Sequence, residues 1–205
     1  MPRRAKSART KSSAVGDAPV QSSKFNRMRA DSEDTLLFAG LLYAEGRPYE
    51  LIKERLVELF CPIKLESAQR PWDYSVYYNN ELGSPIMRRF VIFDTLIRSE
   101  TLPDIKLKTN ELEQSLSVNG KRQYNIDPGY ITLSKLVLAT TKNYAHRIHL
   151  RGGIYAEVTL LYKGSAYVPN CFTYHDYSDT ESIEFFKQGR ALIHNAIVSS
   201  YCLGG

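Results

Sequence analysis

The sequence predicts a single α+β domain built on a split β-α-β (ferredoxin-like) sheet, extended by a β-hairpin and preceded by a disordered basic tail. Three observations carry this reading. The apolar and turn patterns run strand, helix, strand, strand, helix, strand, which is the order of a split β-α-β unit. Further on, residues 146–162 form two alternating segments around Gly152-Gly153, the pattern of a hairpin. Finally, composition changes near residue 34, which sets a tail of residues 1–34 against a domain of residues 35–205.

Charge separates the tail from the body. Residues 1–30 hold eight basic residues against Asp17 alone, a charge of +7, whereas the remainder holds nineteen basic and twenty-one acidic residues, a charge of −2. A tail rich in Ser, Ala, Lys and Arg lacks the apolar content to repay ordering. Its first reading is a solubilising extension; being Arg- and Ser-rich and acid-poor it also resembles an organelle transit peptide, and residues 1–30 could bind polyanions such as RNA weakly by counterion release, while the slightly acidic body argues against a broad nucleic-acid platform. Cys61, Cys171 and Cys202 form no C-x-x-C pair, so neither a zinc ribbon nor a disulfide framework is indicated. No apolar run reaches the length of a membrane span, and the amino terminus has no apolar core of a secretory signal, so a cytoplasmic protein is expected.

The elements follow in order. Residues 35–43, TLLFAGLLY, read as a strand buried on both faces. Pro48 suits a first helical position, and Ile52, Leu56, Leu59 and Phe60 recur at helical spacing until Pro62. Residues 63–68 give a second strand, the aromatic stretch 72–78 reads as core, and residues 87–97 give a third strand with Glu81 at its mouth. Pro103 opens a second helix with Ile105, Leu112 and Leu116 as its buried stripe; Lys106, Asn110 and Glu113 share the adjoining flank. Asp127-Pro128-Gly129 is a turn signal that would hold Asn125, Asp127 and Tyr130 at a strand end. Residues 132–141 fit a short helix or a buried strand equally, with Lys135 and Lys142 near its ends. Ser178 and Glu181 make a capping box for a last helix carrying Ile183, Phe186, Ile193 and Ile197.

The hairpin register decides which residues share a face. A three-residue loop, Arg151-Gly152-Gly153, places Leu150 opposite Ile154, Ile148 opposite Ala156 and His146 opposite Val158. The other face then carries His149 opposite Tyr155 and Arg147 opposite Glu157. Since a slip of one residue exchanges faces, this segregated register is preferred: one face core, the other a polar wall.

The stretches NIDPGYITLSKLVLATTK, HRIHLRGGIYAEVTL and TYHDY, with LLFAGLLY, YYNNELGSPIMRRF and IKLKTNELE, resemble the bacterial family termed domain of unknown function 4416. The resemblance implies no assigned reaction, although some members carry a GTP-binding label. The residues give that label little support. Gly120-Lys121 has Ser115 where a phosphate-binding loop needs its first glycine and Arg122 where it needs a hydroxyl. Thr141-Lys142-Asn143-Tyr144 has the outline of a guanine-reading loop, but Tyr144 replaces its carboxylate.

A mixed constellation remains. Asp127 and Glu157 are candidates for proton transfer; Lys106, Asn110, Asn125, Tyr130, Lys135, Lys142, Arg147, His149, Tyr155 and Asp176 are candidates for ligand binding, with Arg147 and Lys142 holding an anion. His146 and His149 fall on opposite strand faces and make no local metal pair, so a metal would need His149 and His175 brought together with carboxylates by the fold. No motif names a cofactor or an oligomeric state. The set suits a phosphorylated or nucleotide-like small molecule; an RNA-binding module using the tail and a protein-interaction role are the alternatives.

Overall fold

In the computed structural model, residues 34–202 are described, with side chains for residues 35–196. The expectations for the basic tail lie outside the described residues. Strand β1 (Asp34–Ala44) leads to helix α1 (Tyr49–Leu59), then β2 (Ile63–Glu66), the short β3 (Arg70–Pro71) and a four-residue helix α2 (Asn79–Leu82). Strand β4 (Ile86–Arg98) continues through one 3-10 turn into α3 (Leu102–Ser115), followed by β5 (Tyr124–Ile131) and β6 (Lys135–Thr140). The hairpin β7 (Ile148–Arg151) and β8 (Ile154–Lys163) comes next, then β9 (Ala166–Pro169), α4 (His175–Ser178) and α5 (Thr180–Cys202). The strands form one sheet in the order β2-β4-β1-β5-β6-β8-β7, with β3 added to β4 and β9 to β8. Every pairing is antiparallel.

The unbroken apolar run of β1 is explained by layers on both sides of the sheet. Leu36 and Phe38 pack with Phe90, Ile92 and Phe186 beneath α5. Leu37, Ala39 and Leu41 point the other way, onto Ile52 and Leu56 of α1 and Ile105 of α3. Gly189 of α5 lies against the sheet; a Cβ there would stand 2.6 Å from Ile92 Cδ1. Asp179 caps α5 by accepting the Ser182 N–H at 2.8 Å, so the cap falls one residue after Ser178, whose hydroxyl donates to the His175 carbonyl instead.

Several expectations need correction. Asp127-Pro128-Gly129 is no turn: all three residues lie within β5, paired with Gly40, Ala39 and Phe38 of β1. Gly129 is required by space, because a Cβ there would collide with the Val137 carbonyl and the Phe38 ring. Residues 132–141 resolve as strand β6, entered through a tight turn in which the Thr132 hydroxyl accepts the N–H groups of Ser134 and Lys135, both at 3.1 Å. In the aromatic stretch, Tyr74, Val76 and Tyr77 are 48%, 80% and 66% exposed, so only Trp72 and Tyr78 pack inward, against Leu42, Leu82 and Ile86.

The hairpin keeps its expected pairs, Ile148 with Ala156 and His149 with Tyr155. The loop itself differs. Gly152 and Gly153, both at positive φ, connect Arg151 directly to Ile154, and Leu150 is absorbed as an irregularity that restores the register. The faces also exchange environments over part of their length. Ile148 is 68% exposed, whereas Glu157 is 2% exposed, so the Arg147 and Glu157 end of the polar wall is covered, while His149 is exposed and Ile154 stays buried.

Candidate functional site

The site lies in a fork of the sheet. β5 pairs with β1 along its whole length but meets β6 only from Gly129 to Ile131. Over the first half of β5, the edge facing β6 is satisfied by α3. Glu113 Oε1 accepts the Ile126 N–H at 2.6 Å, and Lys106 Nζ donates to the Ile126 carbonyl at 2.7 Å. Both groups of Ile126 therefore point away from β1, and by the two-residue period of a strand so does the nitrogen of Pro128. A residue without an N–H thus falls where no ladder is formed.

A cavity of ≈ 140 Å³ opens in this fork. Its floor is the sheet, where Leu42, Arg88, Asn125, Asp127, Leu138 and Glu157 line it from five strands. Lys106 and Asn110 enter from α3, Lys142 from the loop after β6, and Tyr174, Asp176 and Tyr177 from the segment around α4. Trp72, Tyr77 and Tyr78 close another side.

Most of the charges are held by specific partners. Arg88 is buried in an ion pair with Asp176, whose Oδ2 also accepts the Trp72 indole N–H at 3.0 Å. Arg122 grips Glu81 through two bonds of 2.6 and 2.8 Å, and reaches Glu113 at 2.8 Å and Asn125 at 3.0 Å. The hydrogen bonds it donates to Glu81 hold the Arg122 guanidinium above its usual value, and Arg122 in turn depresses the Glu81 carboxyl. Burial pushes the Glu113 carboxyl up against the pull of Lys106 and Arg122. Asp127 accepts from Asn125 at 2.7 Å and lies 3.7 Å from Lys106. Burial raises Tyr78, Tyr174 and Tyr177, so these phenols remain protonated hydrogen-bond donors.

Arg147 does not line the cavity. Its buried guanidinium stands behind it, bonded to Glu157 Oε2 at 2.8 Å, the Lys142 carbonyl at 3.0 Å and the Tyr174 hydroxyl at 2.6 Å. One side chain thereby fixes three residues that do line it. Glu157 Oε2 also contacts His146 Nε2 at 3.2 Å, and the His146 ring stacks on Phe172 with centroids 4.1 Å apart.

Four atoms on the lining side chains stand apart because, among the described residues, they are buried without a hydrogen-bond partner: Arg88 Nε and Nη1, the Tyr177 hydroxyl and Glu157 Oε1. Their residues are 4%, 1% and 2% exposed. Arg88 Nη1 and the Tyr177 hydroxyl converge above Gly40, lying 2.8 and 2.5 Å from where a Cβ would be.

Of the residues singled out in the sequence, Lys106, Asn110, Asn125, Asp127, Lys142, Glu157 and Asp176 are brought together on the cavity wall. Tyr130 packs instead with the cluster of Leu102, Val137, Ala139 and Ile154, and Lys135 sits at the start of β6 opposite Leu161. His149 and Tyr155 make an edge-to-face pair 5.1 Å apart on the hairpin, and His175 stacks on Tyr74 at 5.9 Å. Among the described residues, no group of three His, Cys, Asp or Glu is placed to hold a metal ion. Sequence reasoning missed Arg88, Arg122 and Tyr177 as site residues. A signal existed for the first: Arg88 interrupts an apolar strand, and Gly40 interrupts the strand beside it, the mark of a close approach.

No curated protein and no solved structure matches the chain. A family model described as a domain of unknown function, DUF4416, matches residues 33–192, and the chain belongs to that family.

Proposed function

We propose that the fork cavity binds a small phosphorylated molecule. The observation that carries this reading is the convergence of Arg88 Nη1 with the Tyr177 hydroxyl, which like Arg88 Nε are buried donors without hydrogen-bond partners among the described residues, over a glycine whose missing side chain gives them their place above the sheet. Buried donors are nearly always satisfied in folded proteins, so such a set points to an acceptor-rich ligand. A phosphoryl group offers several strong acceptor oxygens, and a guanidinium matches its geometry. Lys142, whose ammonium lies 4.5 Å from the centroid of the exposed Tyr77 ring, adds a second cation.

Size favours a small ligand over a whole nucleotide. Pockets for drug-sized ligands span roughly 300–1,000 Å³, while this cavity has ≈ 140 Å³. We read the β2-β4-β1-β5 portion, with α1 and α3 on one face, as the split β-α-β unit, and the fork as the place where the added strands leave it.

Calorimetric titration with inorganic phosphate and glycerol phosphate tests the proposal. Binding is expected, and Tyr177→Phe should weaken it about tenfold, the equivalent of one hydrogen bond to a charged group. The variant should fold normally, since the deleted hydroxyl has no hydrogen-bond partner among the described residues. Absence of binding by both compounds, or equal affinity in Tyr177→Phe, would overturn the reading.

A further inference from the structure

Glu157 places a demand on the rest of the ligand. Its carboxylate is 2% exposed, and Oε2 is occupied by Arg147 and His146, yet Oε1 has no partner among the described residues and the side chain lines the cavity. Arg147 and the hairpin fix the residue in place, so the free oxygen cannot swing out to water. A buried carboxylate oxygen in this position asks for a donor, whereas the Arg88 end asks for an acceptor.

The two ends are well separated. Arg88 is on β4 and Glu157 on β8, four strand steps apart in a sheet that opens between β5 and β6, and their rows cross β1 at Leu42 and Phe38 respectively, so an occupant touching both must be elongated. Charge adds a second constraint. With the ion partners that hold them, Arg88, Lys106, Arg122, Lys142 and Arg147 stand against Asp127, Glu157, Asp176, Glu81 and Glu113, a net charge of 0. A phosphate monoester brings about −1.5 to −2, an excess of negative charge that a positive group on the ligand reduces.

We infer that the ligand is an elongated phosphorylated amine, with its phosphoryl group at Arg88 and Tyr177 and its ammonium at Glu157. This rests on the phosphoryl reading above. The ammonium supplies the donor that Glu157 Oε1 lacks and brings the charge of the filled cavity closer to zero. A neutral hydroxyl at that end would satisfy the hydrogen bond but not the charge.

The test uses the unmodified full chain and paired probes of equal length: 2-aminoethyl, 3-aminopropyl and 5-aminopentyl phosphate against the corresponding alkyl phosphates, with inorganic phosphate as reference. At least one amine is expected to bind tenfold or more tightly than its alkyl partner, and the hydroxyalkyl phosphate of that length should fall between them. In Glu157→Gln the amine preference should disappear while inorganic phosphate still binds. Because that variant leaves Arg147 without its carboxylate and is at risk of unfolding, the comparison in the unmodified chain is decisive by itself. If inorganic phosphate binds but no amine exceeds its alkyl partner, the inference is overturned and the phosphoryl reading stands. If no phosphate compound binds, both fall.

Discussion

Glu113 accepts the backbone N–H of Ile126 at 2.6 Å, so a helix side chain performs for the first half of β5 what β6 performs for the second. Glu113→Ala removes that acceptor together with a partner of Arg122 and Lys106, leaving a buried N–H and imbalanced charges. A loss of about 3–5 kcal/mol is expected by urea denaturation. Glu113→Gln keeps an acceptor for Ile126 and should lose distinctly less.

Gly40→Ala tests whether the placement of Arg88 and Tyr177 above β1 is what binds the ligand. The added methyl group would stand 2.5 Å from the Tyr177 hydroxyl and 2.8 Å from Arg88 Nη1, so both side chains must move. Overpacking of this kind costs roughly 1–3 kcal/mol. Phosphate binding should be lost by calorimetry under conditions in which circular dichroism shows the chain folded.

Gly129→Ala separates a turn glycine from a packing glycine. A glycine in an exposed turn would tolerate the change with a modest cost, but here the methyl group meets the Val137 carbonyl and the Phe38 ring. Destabilisation of roughly 3 kcal/mol or more is expected in thermal or urea unfolding, because one of the obstacles is backbone.

The acid limb of the stability curve should depend on Glu81. Arg122 holds its folded carboxyl below the ordinary value, so its contribution is present above that value and is lost as pH falls through the folded one. Glu81→Gln should therefore be less stable than the unmodified chain at neutral pH, with the difference closing on acidification. Melting temperatures measured from pH 7 down to pH 3 would show it; a difference that stays constant would refute the assignment.

How much of this was legible in the sequence depended on the distance over which each signal acts. The pairing of Ile148 with Ala156 and His149 with Tyr155 followed from alternation within seventeen residues, and the capped edge of β5 was foreshadowed by Lys106 and Glu113 on one flank of a helix. Which side of the hairpin is covered was not legible, because α4 and the aromatic segment arrive from elsewhere in the chain. The Asp127-Pro128-Gly129 signal was misread because turn chemistry and crowded-strand chemistry select the same residues for different reasons: glycine for clearance rather than for φ, proline for a missing donor rather than for a bend. Arg88 and Asp176 lie 88 positions apart, and Arg122 and Glu81 lie 41 apart. No local periodicity joins such pairs.

Pro128 gives the fork a chemical lock. Any other residue there would present an N–H toward β6, and the two strands would gain a reason to zip together past Gly129. With proline in place that bond has no hydrogen to be made from, so the opening in the sheet does not depend on an occupant to hold it apart. The shape of the cavity is thus inherited from an atom the chain leaves out.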